Sequence, residues 1–241
     1  MTSVRYAIQA LPGANPGSRA TFQRQPLRDA LRRGLNIAVA AVGLATFAPL
    51  MVVIGLLIRL TSGGPIFYAQ HRVGIDRRAR AQALRNGRRH RDCGGKLFTI
   101  YKFRTMTVAA PGRRNPGEVW ATPGDPRVTR LGRMLRRSRL DELPQLINVL
   151  RGDMNVVGPR PEQPTIFERL RARVERYPER QRVRPGITGW AQVNLPYDRT
   201  VEDVRRKLSL DLEYLRRQSV LEDLKIMART PGAILGVRSN R

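Results

Sequence analysis

Residues 138–162 read SRLDELPQLINVLRGDMNVVGPRPE, and this stretch carries two adjacent carboxylates, Asp141 and Glu142. The apolar residues that follow recur at the spacing of one buried helix face, as Leu143, Leu146, Ile147 and Leu150. Pro144 is compatible with the first helical turn, where its missing N–H leaves no hydrogen bond unmade. The stretch therefore predicts a short helix with the carboxylate pair at its N-terminus.

Asp141 admits two interpretations. The macrodipole and the free N–H groups at a helix N-terminus favour an ionised carboxylate, and an anionic aspartate beside a cation site can act as a nucleophile. The alternative is that Asp141 only caps the helix, which is a common role of aspartate at this position. This segment alone favours capping, whereas the other motifs of the chain favour the nucleophile.

The charge balance of the chain points to polyanionic partners. Its 241 residues contain 45 Lys and Arg against 19 Asp and Glu, which gives a net charge of +26 and an isoelectric point near 11.7. Nucleic acid, anionic lipid and phosphorylated substrates are all compatible with such a charge.

The inventory of soft metal ligands is small, because Cys93 is the only cysteine and His71 and His90 are the only histidines. An intrachain disulfide and a zinc cluster of nitrogen and sulfur ligands are therefore excluded. Any metal is expected to be oxygen-bound, as Mg²⁺ or Mn²⁺ would be. The chain also lacks a Walker loop and a dinucleotide-binding fingerprint, which argues against an ATPase or a dehydrogenase.

Residues 34–58 form an apolar segment of 25 residues without a charge. A straight helix of this length would measure about 37 Å, more than the roughly 30 Å hydrocarbon core, so the segment is expected to enter a membrane. Basic residues flank it on both sides, and the positive-inside rule places both flanks on the cytoplasmic face. Pro49 near its middle favours a kink. These features favour a re-entrant helix, with a bent spanning helix as the alternative.

The predicted fold class is α+β and mostly helical, with a cytosolic catalytic domain behind the membrane helix. The expected divisions are a mobile basic tail at 1–26, a membrane-inserted kinked helix at 27–62, a catalytic domain at 63–235 that includes an Arg-rich loop insertion at 76–95, and a tail at 236–241.

Within the domain, alternation at 96–106 predicts a strand, which would be its short β element. Helical periodicity appears in three further segments. The last is amphipathic, which suits a membrane interface or, equally, a solvated basic face packed on its own core. These segments are 130–139, 164–182 and 200–230. Proline and glycine at 184–190 predict a loop.

Five basic residues stand among Gly, Pro or aromatic residues rather than in charge runs, and we expect them to bind substrate phosphate. They are Lys102, Arg104, Arg136, Arg160 and Arg184. The guanidinium of arginine can donate two parallel hydrogen bonds to the oxygens of one phosphate. A nucleophilic carboxylate, an oxygen-bound cation and a ring of basic groups together suit attack on a phosphorus atom.

Five blocks of the chain resemble the bacterial sugar transferase family, the monotopic polyprenyl-phosphate phosphoglycosyl transferases. They follow the family's order as YKFRTM at 101–106, LDELPQ at 140–145, GDM at 152–154, VGPRPE at 157–162 and RPGITGWAQV at 184–193. The resemblance covers roughly residues 30–235, and five matching blocks make a chance agreement improbable.

The resemblance implies a two-step reaction in which Asp141 becomes covalently bonded to a sugar phosphate. A sugar 1-phosphate passes from a nucleotide diphosphate sugar to a membrane polyprenyl phosphate (undecaprenyl phosphate), and Glu142 matches the family's metal-binding acid, with Mg²⁺ (or Mn²⁺) on the diphosphate. Lys102 and Arg136 match basic positions near the site. The family's re-entrant helix usually kinks at a Ser-Pro pair, and here the pair is Ala48-Pro49.

The same resemblance implies a place at the bacterial inner (cytoplasmic) membrane, with the catalytic domain on the cytoplasmic face, at the first membrane step of exopolysaccharide, O-antigen or glycoconjugate synthesis. The expected partners are the nucleotide diphosphate sugar, the polyprenyl phosphate and anionic membrane lipid; a homodimer is compatible and nucleic acid is not expected. Two other functions stay open, a non-catalytic membrane scaffold of a polysaccharide assembly complex and a basic membrane-tethered nucleic-acid binder.

Overall fold

The computed structural model describes residues 26–76, 95–107, 125–196 and 200–234. The predicted N-terminal tail, most of the Arg-rich loop insertion and the C-terminal tail lie outside these residues. The described part is mostly helical with a few short strands, as the sequence predicts.

The elements run in chain order as follows: α1 Pro26–Ser62, β1 Phe67–Val73, β2 Leu97–Phe103, α2 Arg130–Ser138, a 3-10 turn Leu140–Glu142, α3 Gln145–Arg151, β3 Asn155–Val157, α4 Pro164–Arg173, a 3-10 segment Tyr177–Arg182, β4 Gly186–Thr188, α5 Trp190–Asn194, α6 Val201–Arg217 and α7 Val220–Ile234.

Helix α1 is the only element among the described residues that is long and apolar enough to cross a membrane. Pro49 lies inside it. Apolar side chains in its middle are exposed, including those of Phe47, Val52 and Leu56. The middle of α1 therefore presents an apolar surface that the other described residues do not cover.

The N-terminal half of α1 is joined to the domain through buried polar side chains. Arg32 is buried against α6 and α7, and Asn36 accepts the Val156 N–H at 2.5 Å through its Oδ1. Arg33 donates to the carbonyls of Val149 at 2.7 Å and Leu150 at 3.2 Å, which lie at the end of α3. The Val149 carbonyl also accepts the Gly152 N–H at 3.1 Å, so Arg33 adds a second donor at this helix end.

The C-terminal half of α1 is joined to the same domain mainly through apolar contacts. Ile54 and Ile58 pack in a cluster with Phe103 of β2 and Leu135 of α2. Both halves of the helix thus contact one domain, while its middle is exposed.

Two small sheets place the segments around the carboxylate pair. Strands β1 and β2 are antiparallel, with Phe67 opposite Phe103, and β3 and β4 are parallel, with Val157 opposite Thr188. The predicted strand at 96–106 is confirmed as β2. The predicted loop at 184–190 is wrong over β4, because a strand of three residues is too short to show an alternating pattern.

The predicted helical segments are shorter or divided. Residues 164–182 break after α4, where Val174 is extended and Arg176 adopts a left-handed φ of 62°. Residues 200–230 form two helices, and α6 begins with a capping box between Thr200 and Asp203. The basic helix predicted at 130–139 is confirmed as α2.

The buried face of α3 differs from the predicted one. Ile147 and Leu150 are 39% and 40% exposed, whereas Asn148 and Val149 are fully buried. The buried amide is tolerated because Asn148 Nδ2 donates to the Thr99 carbonyl at 2.7 Å and its Oδ1 accepts the Tyr101 N–H at 3.2 Å. Satisfied polar groups, rather than the spacing of leucines, determine which face of this short helix is buried.

Candidate active site

The carboxylate pair lies in the 3-10 turn between α2 and α3, not in the first turn of α3. Arg139 adopts a left-handed conformation with φ 58°, which ends α2 and turns the chain into the pair. Pro144 then occupies the N-cap position of α3, and no side chain caps that helix. The prediction that Asp141 and Glu142 form a helix N-terminus is therefore wrong, and Asp141 is not a cap of α3.

Glu142 is buried and surrounded by basic groups. Its Oε1 lies 2.7 Å from Lys102 Nζ and 2.8 Å from Arg160 Nη2, and Arg139 Nη1 approaches its Oε2 to 3.6 Å. Burial alone would raise the pKa of Glu142, but the charges of Arg160 and Lys102 outweigh it and hold the pKa well below 4.5. Glu142 is thus ionised at neutral pH.

Lys102 reaches Glu142 because β2 runs beside α3. The side-chain amide of Asn148 bonds to both Thr99 and Tyr101, as a neighbouring strand would, and fixes this edge of β2 against the helix. Burial lowers the pKa of Lys102, and the charge of Glu142 opposes that shift. The pair lies 40 positions apart in the chain.

Asp141 is 7% exposed, and no described residue donates a hydrogen bond to its buried Oδ1. Burial raises the pKa of Asp141, the adjacent charge of Glu142 raises it further, and Lys102, Arg160 and Arg136 oppose the shift. The expectation that the surroundings of Asp141 favour ionisation is therefore wrong for the unliganded chain, because loss of water outweighs the nearby cations. A desolvated carboxylate with a free oxygen is a stronger nucleophile than a hydrated one.

The five predicted phosphate-binding residues do not all meet at the carboxylates. Lys102 and Arg160 contact Glu142, and the charge of Arg136 acts on Asp141 while its Nε donates to Thr105 Oγ1 at 2.8 Å.

The other two predicted residues, Arg104 and Arg184, have different neighbours. Arg104 donates to Ser62 Oγ at 2.9 Å and to the carbonyl of Gly63, at the end of α1. Arg184 Nε donates to the Gly152 carbonyl at 3.0 Å. These contacts join segments of the fold and do not involve the carboxylates.

Two residues of the site were not among the predicted ones. Arg139 approaches Glu142, and Arg72 of β1 donates to the carbonyl of Pro161 at 3.1 Å, beside Arg160. Burial lowers the pKa of Arg72, Glu162 opposes the shift, and Arg160 adds to it. Recognition of β1 as the partner of β2 would have pointed to Arg72, because the pairing places Arg72 opposite Phe98.

The carboxylate pair supplies oxygen ligands of the kind that Mg²⁺ prefers. Within the described residues, no group of three or more His, Cys, Asp and Glu side chains is gathered for a metal. Within the part of the chain that the structure describes, the ion-pair contact of Glu142 Oε2 is that with Arg139 Nη1 at 3.6 Å, and the buried Asp141 Oδ1 accepts no hydrogen bond. Mg²⁺ commonly takes one or two protein carboxylates and completes its shell with phosphates and water.

Residues 27–236 of the chain match the bacterial sugar transferase family. Among characterised proteins, the chain is 39% identical over 210 residues to a UDP-N-acetylgalactosamine-undecaprenyl-phosphate N-acetylgalactosaminephosphotransferase of Aeromonas hydrophila, and 87% of this chain and 45% of that protein are covered.

Two further relatives carry the name UDP-glucose:undecaprenyl-phosphate glucose-1-phosphate transferase. The protein of Caulobacter vibrioides is 40% identical over 209 residues, 86% of this chain and 70% of its own length. The protein of Escherichia coli is 39% identical over 202 residues, 83% of this chain and 39% of its own length. The chain thus spans less than half of two of these three relatives.

Proposed function

The chain belongs to the bacterial sugar transferase family, and we propose that it transfers a sugar 1-phosphate from a UDP-sugar to undecaprenyl phosphate. The names of the relatives support these substrates. The observation that carries the proposal is the buried Oδ1 of Asp141, which accepts no hydrogen bond from the described residues and lies beside Glu142, the ion-pair partner of Lys102 and Arg160. The product would feed exopolysaccharide, O-antigen or glycoconjugate synthesis.

In the first step, a carboxylate oxygen of Asp141 attacks the β-phosphorus of the UDP-sugar. An Asp–O–P bond forms, and the bond between this phosphorus and the bridging oxygen breaks. That oxygen leaves with its electron pair on the α-phosphate, so UMP is released and the sugar phosphate stays on the enzyme. The charges of Lys102, Arg160 and Arg136 favour the ionised form of Asp141, which the reaction requires.

In the second step, a phosphate oxygen of undecaprenyl phosphate attacks the same phosphorus. A new P–O–P linkage forms, and the bond to Asp141 breaks and returns the carboxylate with its electron pair. The products are the polyprenyl diphosphate sugar and free enzyme. No oxidant or further reactant is needed, because both steps exchange one P–O bond for another.

The basic residues neutralise charge on the reacting phosphates. Lys102 and Arg160 lie within hydrogen-bond distance of Glu142 and Arg136 acts on Asp141, so phosphate oxygens placed at the pair would meet three cations. Glu142, together with the diphosphate, would hold Mg²⁺ (or Mn²⁺), which supplies further charge neutralisation to the leaving group. Arg104 and Arg184 would act on the fold around the site.

The contacts of α1 support a re-entrant helix at the inner membrane. If α1 spanned the bilayer, its ends would be separated by the roughly 30 Å hydrocarbon core and could not both contact one cytosolic domain. Arg32 and Asn36 contact that domain from one half, and Ile58 contacts it from the other. The exposed middle around Pro49 would then enter the cytoplasmic leaflet and return.

Mass spectrometry of the protein incubated with each of several UDP-sugars tests the proposed function. With the donor alone, the expected result is release of UMP in up to one equivalent and an intact-mass increase equal to the sugar phosphate, located on Asp141. Adding undecaprenyl phosphate should remove the adduct and allow turnover.

The variant Asp141→Asn should form no adduct and release no UMP, and excess chelator should stop release by the unsubstituted enzyme. Turnover without any adduct on Asp141 would contradict the covalent mechanism. Unchanged pathway activity of Asp141→Asn in cells would favour the scaffold function instead.

A further inference from the structure

The segment Pro159–Glu162 carries Arg160 to the carboxylates, and its backbone has few donors of its own. Pro159 and Pro161 have no N–H, so this segment can be fixed mainly through its carbonyl oxygens. The prolines restrict φ but leave the ψ angles to be set by other contacts.

Each carbonyl of this segment accepts a hydrogen bond, and the four donors lie on three different elements. The outer two accept from backbone groups: Pro159 from the Gly186 N–H at 2.9 Å and Glu162 from the Val73 N–H at 2.9 Å. The inner two accept from arginine side chains, namely Arg160 from Arg180 Nη2 at 3.0 Å and Pro161 from Arg72 Nη1 at 3.1 Å.

Arg180 is itself fixed on several sides. Its guanidinium pairs with Asp211 of α6 at 2.9 Å and with Glu162 at 3.5 Å, and it donates to the Tyr177 hydroxyl at 2.5 Å. Only 7% of Arg180 is exposed. A buried arginine with two acidic partners has little freedom to reorient, so the carbonyl of Arg160 meets a fixed donor.

Arg72 is fixed in a similar way from the other side. Its Nη2 donates to Gln70 Oε1 at 2.6 Å on the same strand, while Nη1 reaches Pro161. Within the described residues, neither Arg72 nor Arg180 forms an ion pair with Asp141 or Glu142, and the acidic partners of Arg180 are Glu162 and Asp211.

We propose that Arg72 and Arg180 are positioning residues, which hold the backbone on both sides of the Arg160 side chain and thereby aim its guanidinium at Glu142 and the reacting phosphates. The inference rests on the proposed function, because Arg160 must act on phosphate for its aim to affect a rate. A misplacement of about 1 Å in such a site can lower a rate roughly a hundredfold.

A double-mutant cycle between Arg72→Met and Arg160→Met tests the proposal. Arg72→Met alone should lower kcat for UMP release roughly tenfold or more, with a smaller change in KM for the UDP-sugar. In the Arg160→Met background the same substitution should lower kcat less than twofold, because there is no guanidinium left to aim. Arg72→Lys, which can still donate to the Pro161 carbonyl, should recover most of the rate.

Two results would overturn the proposal. Losses that multiply in the double variant would show that Arg72 acts on the substrate or the fold independently of Arg160. An unchanged kcat in Arg160→Met would show that the orientation of the Arg160 guanidinium does not affect the rate.

Arg180 needs a milder substitution, since Arg180→Met would leave Asp211 buried without its partner. Arg180→Lys keeps the charge but cannot span both Asp211 and the Arg160 carbonyl, so it should lower kcat in the same non-additive way with Arg160→Met. Arg182→Met is the matched control, because Arg182 lies on the same 3-10 segment and its side chain is 46% exposed. An additive loss for Arg180→Lys would remove Arg180 from the proposal.

Hydrogen exchange separates this proposal from the proposed function. In Arg72→Met and Arg180→Lys, peptides covering residues 155–167 should exchange faster than in the unsubstituted protein, while peptides covering α7 should not change. If the unsubstituted enzyme released no UMP, the proposed function would fail, and unchanged exchange at 155–167 would separately show that these arginines do not hold the segment.

Discussion

Arg32 Nε lies 3.0 Å from Asp223 Oδ2, although the two residues are 191 positions apart in the chain. The Tyr214 hydroxyl joins the pair, as it accepts from Arg32 at 2.7 Å and donates to Asp223 Oδ1 at 2.7 Å. All three side chains are buried. The first and last described helices are thereby connected through buried charged side chains.

Arg32→Met should lower stability by about 3 kcal/mol or more, because it leaves Asp223 buried without its cation. Thermal or denaturant unfolding of the protein in nanodiscs measures the loss. Arg205→Met is the control, since the Arg205–Glu202 pair is exposed and should change stability by less than about 0.5 kcal/mol. Adding Asp223→Leu to Arg32→Met should restore part of the loss, and a double variant no more stable than the single one would contradict this reasoning.

Lys102→Met and Arg104→Met should have different effects, although both residues belong to the same basic motif. Lys102 contacts Glu142, so its loss should lower the rate of UMP release roughly 10²–10³-fold with a smaller change in unfolding temperature. Arg104 contacts Ser62 at the end of α1, so its loss should mainly lower the unfolding temperature. Initial rates and unfolding curves of the two variants decide the matter, and equal rate losses would place Arg104 in the substrate site.

Acidification should remove the contribution of Glu142 to stability. The pKa of Glu142 is well below 4.5 in the folded chain. As the pH falls below about 4.5, the Glu142 carboxylate is therefore protonated in the unfolded chain before it is protonated in the folded chain. The stability difference between the unsubstituted protein and Glu142→Gln should therefore be largest above pH 4.5 and shrink below it. Unfolding in excess chelator at several pH values measures this difference. Glu202→Gln at an exposed position should show no such trend, and a difference that grew with acidification would contradict the sign.

Cysteine labelling should place both flanks of α1 on the cytoplasmic side. Single cysteines introduced as Ala20→Cys and His90→Cys, each in a Cys93→Ser background, should react with an impermeant maleimide only when the cytoplasmic face is accessible. Membrane vesicles of the two orientations provide the comparison. Reaction of the residue 20 cysteine from the outer face alone would show that the helix spans the bilayer.

The membrane helix and the carboxylate pair could be identified from local sequence, because each has a signal within a few turns of chain. The charge-free run of 34–58 predicts α1, and the Asp141–Glu142 motif marks the site. The environment of Asp141 could not be predicted, since its raised pKa depends on burial by distant segments. A helix-terminus argument considers only local dipoles and omits this desolvation.

Long-range pairing also explains the other differences. The exposure of Ile147 and Leu150 follows from the bonds of Asn148 to β2, which no periodicity within α3 reveals. Arg72 belongs to the site through the carbonyl of Pro161, 89 positions away. Every residue has a backbone carbonyl, so the amino-acid sequence does not show which carbonyl a side chain such as Arg72 will contact. These contacts are found only once the strand pairing is known.

The bonds from Arg33 to the end of α3 and from Asn36 to β3 have a mechanical consequence. In the re-entrant arrangement proposed above, α1 holds the main chain on both sides of the turn that follows α3, so a tilt of α1 in the lipid would also displace the residues next to the carboxylate pair. Bilayer thickness and lateral tension would then change the rate of the enzyme. Turnover should therefore differ in a lipid with short acyl chains, even at a fixed concentration of both substrates.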